Sequence, residues 1–164
     1  MDHEEDDAEV ALRYKDLHMA DEAYQRTAQL RKLMRVFNEG YDERTALALE
    51  VELLSGGHEL TYPTLTIPVD GEEVQMALAV PSQGLCSLGI YTSLRFTPPE
   101  YKVFTFGRAT VPDLIERAPK QNVNVLVIDG STTHCTGLYL ADGNMKLLAL
   151  HREEQIVGRK LRQK

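Results

Sequence analysis

The 164-residue sequence predicts an α+β fold. N-terminal helices, one of them long and amphipathic, are expected beside a mixed, mostly antiparallel sheet of five to seven strands with one short crossover helix. Apolar residues recur at helical spacing in residues 8–57 and alternate with polar residues from residue 64 onward. The strand segments are joined mostly by hairpin turns, which favours helices and sheet in separate blocks over a regular alternation of the two.

Residues 8–38 form the predicted long helix, because they contain neither glycine nor proline and their apolar residues repeat at intervals of three, four or seven. The segment is either one helix or two helices broken near residues 18–21. A stripe of this kind packs into a core or forms the seam of a dimer. Its members are Leu12, Met19, Ala23, Leu30, Leu33 and Phe37.

A second helix is predicted over residues 43–54. Gly40 suits the left-handed conformation that follows a helix end, and Asp42 offers a side-chain oxygen to the first amides of the next helix. The segment is apolar most of the way round, which indicates substantial burial. Gly56 and Gly57 then end it.

The sheet is predicted within residues 58–150. Two alternating runs, 64–69 and 74–80, flank Asp70-Gly71, which is a strong hairpin signal. Pro63 and Pro68 lack an amide proton, so the first strand is expected to be an edge strand or bulged. Further strands are predicted at residues 85–92 and 101–106.

The last part of the sheet domain follows a short helix capped by Thr110, with Pro112 in its first turn. Residues 123–128 are apolar at nearly every position, which predicts a central strand covered on both faces. A second hairpin, with strands 136–140 and 145–150, surrounds Asp142-Gly143.

Charge is distributed unevenly along a chain of net charge −7. Residues 1–7 form an acidic start that is expected to be disordered, and residues 151–164 form a basic tail that suits a solvated helix end. Nucleic-acid binding is not favoured, because aromatic residues are not interleaved with the basic ones. Without an apolar run of bilayer length or a signal-peptide pattern, the sequence predicts a soluble, cytoplasmic protein without membrane contact.

The two cysteines, Cys86 and Cys135, are expected to be reduced and to behave as small buried hydrophobes. Neither they nor the five histidines show paired metal-ligand spacing, so no metal or cofactor is predicted.

The segment Val-Leu-Val-Ile-Asp129-Gly-Ser131-Thr132-Thr133 is similar to the first phosphate loop of the sugar-kinase, actin and heat-shock ATPase superfamily. In that superfamily a strand-end aspartate handles metal or water, and the small-residue turn offers amides and hydroxyls to phosphate. Ser131 departs from the pattern, which has glycine there. Two interpretations stay open: a phosphate- or nucleotide-binding turn formed by Asp129, Ser131, Thr132 and Thr133, or a buried strand that ends in a polar turn and starts a hairpin.

Four boxes occur in order between residues 64 and 130. They are Leu65-Thr-Ile-Pro68-Val69, Gly89-Ile-Tyr91-Thr92-Ser93, Pro112-Asp-Leu-Ile-Glu116 and Val125-Leu-Val-Ile-Asp129-Gly130. They resemble the N-terminal domain of the SseB, or enhanced serine sensitivity, family of bacterial proteins, except that Asp129-Gly130 replaces Asn-Pro-Gly. The resemblance implies an intracellular α+β domain that makes protein contacts, and it carries over no catalytic residue.

The sequence therefore predicts a non-enzymatic protein-interaction module of SseB-like type. Its partner is another protein or a second copy, with the helix of residues 8–38 as the candidate dimer seam. The candidate contact patch consists of aromatic residues near the Pro98-Pro99 loop, although burial in the core is the alternative for each. These residues are Tyr91, Phe96, Tyr101 and Phe104.

Overall fold

The structure is a computed structural model and describes residues 22–40, 42–82 and 84–153. Within the described residues, two complete helices and the helical residues 22–26 precede the sheets, and a further helix lies between strands, in agreement with the predicted α+β class. The helices are α1 (Ala28–Glu39), α2 (Glu43–Ser55) and α3 (Val111–Arg117). The acidic start, residues 8–21 with the predicted break at 18–21, and the tail beyond residue 153 lie outside the described residues.

The strands belong to two sheets. They are β1 (Glu59–Val69), β2 (Glu72–Ala77), β3 (Ala79–Ser82), β4 (Leu85–Ile90), β5 (Thr105–Thr110), β6 (Val125–Ile128), β7 (Thr136–Ala141) and β8 (Asn144–Leu148). One sheet is antiparallel with the order β2-β1-β5, and the other has the order β3-β4-β6-β7-β8. The five-stranded sheet is mixed, because β4 and β6 pair in parallel. A bridge between Thr61 and Tyr91 links the two sheets.

The first described helical residues, 22–26, end in a turn at Thr27, and α1 starts directly after it. Of the predicted apolar stripe, Leu30 and Phe37 are buried in the core, and Leu33 is half-buried and packs against it. Met34, which was not in the predicted stripe, is also fully buried. This part of the predicted stripe therefore packs inside the protein and does not supply a dimer seam. Three polar residues along this helix and at its start are buried as well: Thr27, Arg31 and Asn38.

The cap of α2 is confirmed, because Asp42 Oδ1 accepts the amide proton of Arg44 at 2.8 Å. The prediction for Gly40 is wrong: its φ of −156° and ψ of 115° are extended. Gly40 and the capping residue Asp42 are both extended, so neither is left-handed. Gly57, with φ of 68° after α2, is the left-handed glycine of this region.

The hairpin around Asp70-Gly71 is confirmed as β1 and β2, and both turn residues have positive φ, 52° and 82°. β1 is nevertheless the middle strand of its sheet, so the edge-strand prediction is wrong. The strand tolerates its prolines because each half has a different neighbour. Residues 59–64 pair with β5 and residues 64–69 pair with β2, so that Thr64 alone has a partner in both neighbouring strands.

Two predicted strands have different bounds in the structure. The run 74–80 is divided at Leu78, whose N–H donates to the Pro63 carbonyl, so β2 joins one sheet and β3 the other. The predicted strand 101–106 starts only at Thr105, because Pro99–Val103 form a 3-10 turn that opens with the fixed φ of proline.

The other strands of the sheet domain occur where they are predicted, although three of them end or begin up to two residues inside the predicted bounds, and Leu150, predicted in the last strand, is helical. Thr110 accepts the amide proton of Asp113 at the start of α3, β6 is the central strand of five, and β7 and β8 form the hairpin around Asp142-Gly143. One continuous core joins α1, α2, α3 and both sheets. Among the described residues, no helix combines the length and the apolar character needed to cross a bilayer.

Candidate functional site

Asp129 lies at the end of β6 and is fully buried. Its Oδ1 accepts the amide proton of Thr92 at 2.9 Å, and its Oδ2 accepts the Thr92 hydroxyl at 2.6 Å. His134 Nε2 lies 2.8 Å from Oδ2. Both carboxylate oxygens are thus engaged inside the protein, at the junction between the ends of β4 and β6, and neither faces an open phosphate site.

Arg31 is buried beside this carboxylate and is only 8% exposed. Its Nη1 donates to the hydroxyls of Thr27 and Thr92, and its Nη2 donates to the Tyr24 carbonyl. The guanidinium carbon also lies 4.1 Å from the centre of the Tyr24 ring. Desolvation lowers the pKa of Arg31, while the negative charge of Asp129 acts in the opposite direction. A positive charge is therefore held in one position by several independent contacts.

The turn after Asp129 is closed by a hydrogen bond of its own and exposes most of its side chains. The Thr132 hydroxyl donates to the Asp129 carbonyl at 2.7 Å, which closes the turn onto its own backbone. Ser131 adopts φ of 68° and is exposed, as is Thr133. Of the four residues predicted to bind phosphate, Asp129 therefore points inward, whereas Thr132 and Thr133 lie at the surface.

Thr132 and Thr133 line an open cleft of about 540 Å³ between α1 and the turn that follows β6. The lining contains three cationic residues and, within the described part of the chain, no carboxylate. The full set is Tyr24, Ala28, Arg31, Lys32, Arg35, Phe96, Thr132, Thr133 and His134. We call this the basic cleft.

The basic residues of this cleft were missed by the sequence-based interpretation. Arg31 carried a usable signal, because it lies three residues before Met34 and so places a charge on the apolar side of the helix. Lys32 and Arg35 carried none, since exposed cations are ordinary on a helix surface.

The four aromatic residues predicted as a contact patch do not form one surface. Tyr91 is only 5% exposed and packs edge-on against Tyr101, with ring centres 6.5 Å apart. Phe104 also packs edge-on against Tyr101, with ring centres 5.4 Å apart. Phe96 lies elsewhere, with its ring centre 5.1 Å from His134, and lines the basic cleft. Burial and the nearby Tyr101 raise the pKa of Tyr91 to about 12.

An exposed apolar surface occurs instead on the β1–β2 hairpin. Cross-strand pairing places Leu65 opposite Met76 and Ile67 opposite Val74, and the alternation of the strand puts Val69 on the same side. These five side chains are between 38% and 45% exposed. We call this surface the hairpin face.

No group of three or more His, Cys, Asp or Glu side chains suited to holding a metal ion occurs among the described residues. Cys86 and Cys135 are not joined in a disulfide.

Comparison of the chain with protein-family models, with curated proteins and with solved structures found no match. The similarity to the SseB family therefore stays a prediction.

Proposed function

We propose that this chain is a non-enzymatic protein-interaction module that associates with a second copy of itself through the hairpin face. The carrying observation is the exposure of Leu65, Ile67, Val69, Val74 and Met76 on one side of a two-stranded ribbon. Strict alternation in a strand is typical of one face that is buried against another element. Among the described residues the apolar face is the one left open, and a second molecule would cover it.

The polar face of the same ribbon supports this assignment. Thr66, Pro68 and Glu73 lie on the opposite side of the hairpin and are exposed as well. The ribbon therefore keeps the two-sided pattern of a half-buried sheet. Solvent covers its polar side, and the apolar side forms a contiguous patch of the kind that marks an interaction site.

A second copy is the occupant that the composition and charge of the surface favour. Two copies of the hairpin face can stack on one another about a two-fold axis, because the same patch then serves both molecules. The turn end of the ribbon carries Asp70, Glu72 and Glu73. An antiparallel arrangement keeps these acidic ends apart, whereas a parallel arrangement would bring them together.

The size of the patch sets the expected strength. Five side chains less than half exposed contribute on the order of a few hundred Å², below the roughly 800 Å² per partner of a standard stable interface. The association is therefore expected to be reversible and to depend on concentration. An intracellular, cytoplasmic location of SseB-like type belongs to this proposal, and the absence of a disulfide between Cys86 and Cys135 fits a reducing compartment.

Light scattering coupled to size exclusion, over a range of protein concentrations, tests the proposal. The full chain should shift from monomer towards dimer as the concentration rises. Ile67→Lys should abolish the shift, because it places a charge in the centre of the hairpin face. Thr66→Lys is the matched control: it places the same charge one residue away on the polar face and should leave the shift intact.

Two results would overturn the proposal. One is a chain that is monomeric at every concentration, as expected if another segment of the same chain covers the ribbon. The other is a dimer that both lysine variants affect equally, which would place the contact elsewhere. Circular dichroism of both variants checks that the fold is retained.

A further inference from the structure

The geometry of the basic cleft points to a second binding site, separate from the hairpin face, for a small molecule that carries a phosphate monoester. The cleft of about 540 Å³ has the volume of a site for a small ligand. It combines one buried and two exposed cations with hydroxyl groups, and these are donors that phosphate oxygens accept from.

The cations come from one side of α1. Lys32 and Arg35 are exposed, and both line the cleft together with Arg31. Arg35 lies beside both other cations on the helix surface, because it is three residues from Lys32 and four from Arg31. Arg31 is held in place by Thr27, Thr92 and the Tyr24 carbonyl, so its charge is positioned before a ligand arrives. Such preorganisation reduces the entropy cost of binding.

The opposite wall of the cleft is the turn after β6. It brings the side chains of Thr132 and Thr133 and the ring of His134 to the same opening. The Thr132 hydroxyl is engaged with the Asp129 carbonyl, whereas Thr133 is exposed at the rim. The turn thus contributes hydroxyl and backbone groups without the Asp129 carboxylate, which is buried behind His134.

The charge of the residues that line the basic cleft favours an anionic ligand. The protein has a net charge of −7, yet the described lining of the cleft contains three cations and no acidic side chain. Arg35, which lines the cleft, also pairs with Glu39, with an Nε to Oε1 distance of 3.8 Å between exposed side chains. A pair of this kind is weak in water, so a phosphate dianion can displace Glu39 from Arg35.

Isothermal calorimetry with the full chain tests the inference. The probes are inorganic phosphate, adenosine monophosphate and glucose 6-phosphate, with adenosine and glucose as unphosphorylated controls and sulfate at matched ionic strength. All three phosphate compounds should bind and the unphosphorylated ones should not. The Lys32→Gln/Arg35→Gln double variant should weaken binding at least ~10-fold, since each lost charged contact is a strong hydrogen bond.

The matched control is an Arg44→Gln/Lys146→Gln double variant, which removes the same net charge from exposed positions outside the cleft. It should retain the affinity of the original chain. Equal losses of phosphate affinity in the two double variants would show that phosphate responds to the overall charge of the protein, and would overturn the proposed site. So would equal binding of sulfate, or binding of oligonucleotides alone with a steep dependence on salt.

Thr133→Val tests the turn wall of the cleft independently of the cations on α1. It should also weaken phosphate binding.

Discussion

Thr92 donates twice to Asp129, through its amide at 2.9 Å and through its hydroxyl at 2.6 Å. Thr92 follows β4 and Asp129 ends β6, so the two bonds fasten together the ends of the parallel strand pair. The Asp129 amide, in turn, donates to the Ile90 carbonyl at 2.9 Å. The polar cluster at this end of the sheet is thus a structural clamp as well as the inner wall behind the basic cleft.

Removal of the Thr92 hydroxyl should destabilise the protein. Thr92→Val keeps the shape and the amide donor but leaves a buried carboxylate oxygen with one partner fewer, which costs about 1–3 kcal/mol. Thr92→Ser keeps the hydroxyl and should cost clearly less. Urea unfolding of the three proteins measures the difference. Equal midpoints for the valine and serine variants would contradict a role for this bond.

Alkaline pH should unfold the protein partly through Tyr91. The pKa of this phenol is raised to about 12, whereas it is about 10 in an unfolded chain. The stability that Tyr91 contributes is therefore fully present below about pH 10 and is lost as the pH rises towards about 12, because the unfolded state ionises first. Tyr91→Phe removes the ionisation and should flatten the fall of unfolding free energy in this range. An identical fall in both proteins would show that Tyr91 is not the group responsible.

The contribution of the α2 N-cap to the free energy of unfolding should be measurable with single substitutions. Asp42→Ala removes the acceptor of the Arg44 amide proton and is expected to cost about 1 kcal/mol. Asp42→Asn keeps an acceptor and should cost much less. Thermal or urea unfolding distinguishes them. If the asparagine variant lost as much as the alanine variant, the carboxylate charge would matter more than the hydrogen bond.

Two glycines provide a matched pair for backbone strain. Gly143 adopts φ of 78° in the β7–β8 turn, so Gly143→Ala should cost about 1–2 kcal/mol. Gly130 has no positive φ, and a Cβ there would lie 3.6 Å from Val127 Cγ1, an ordinary contact. Gly130→Ala should therefore be close to neutral in unfolding experiments. Comparable losses at both positions would contradict the strain argument.

Short-range features of this fold could be predicted from the sequence, because a few adjacent residues determine them. The Asp70-Gly71 and Asp142-Gly143 turns and the Asp42 and Thr110 caps are of this kind. The division of the strands between two sheets could not be predicted, since the change at Leu78 depends on a hydrogen bond to Pro63, which is distant in sequence.

The candidate sites show the same limit. The turn at residues 129–133 was recognised as either a phosphate loop or a hairpin bend, and its residues alone did not decide between them. The cations that make the basic cleft lie on α1, about a hundred residues earlier, and only the tertiary fold brings Lys32 and Arg35 to Thr133. The alternation of the hairpin face was visible, but alternation does not reveal whether the chain itself covers that face.

The parallel pairing of β4 with β6 has a consequence for synthesis. β5 and α3 lie between these strands in the chain, so the central pair of the larger sheet cannot form until Ile128 has left the ribosome. Until then the nascent chain presents β4 with one long edge unpaired. Non-local pairing of this kind slows folding and prolongs the exposure of apolar strands. A chaperone that shields the newly made chain should therefore raise the yield of native protein during synthesis. Its effect on the stability of protein that has already folded should be small.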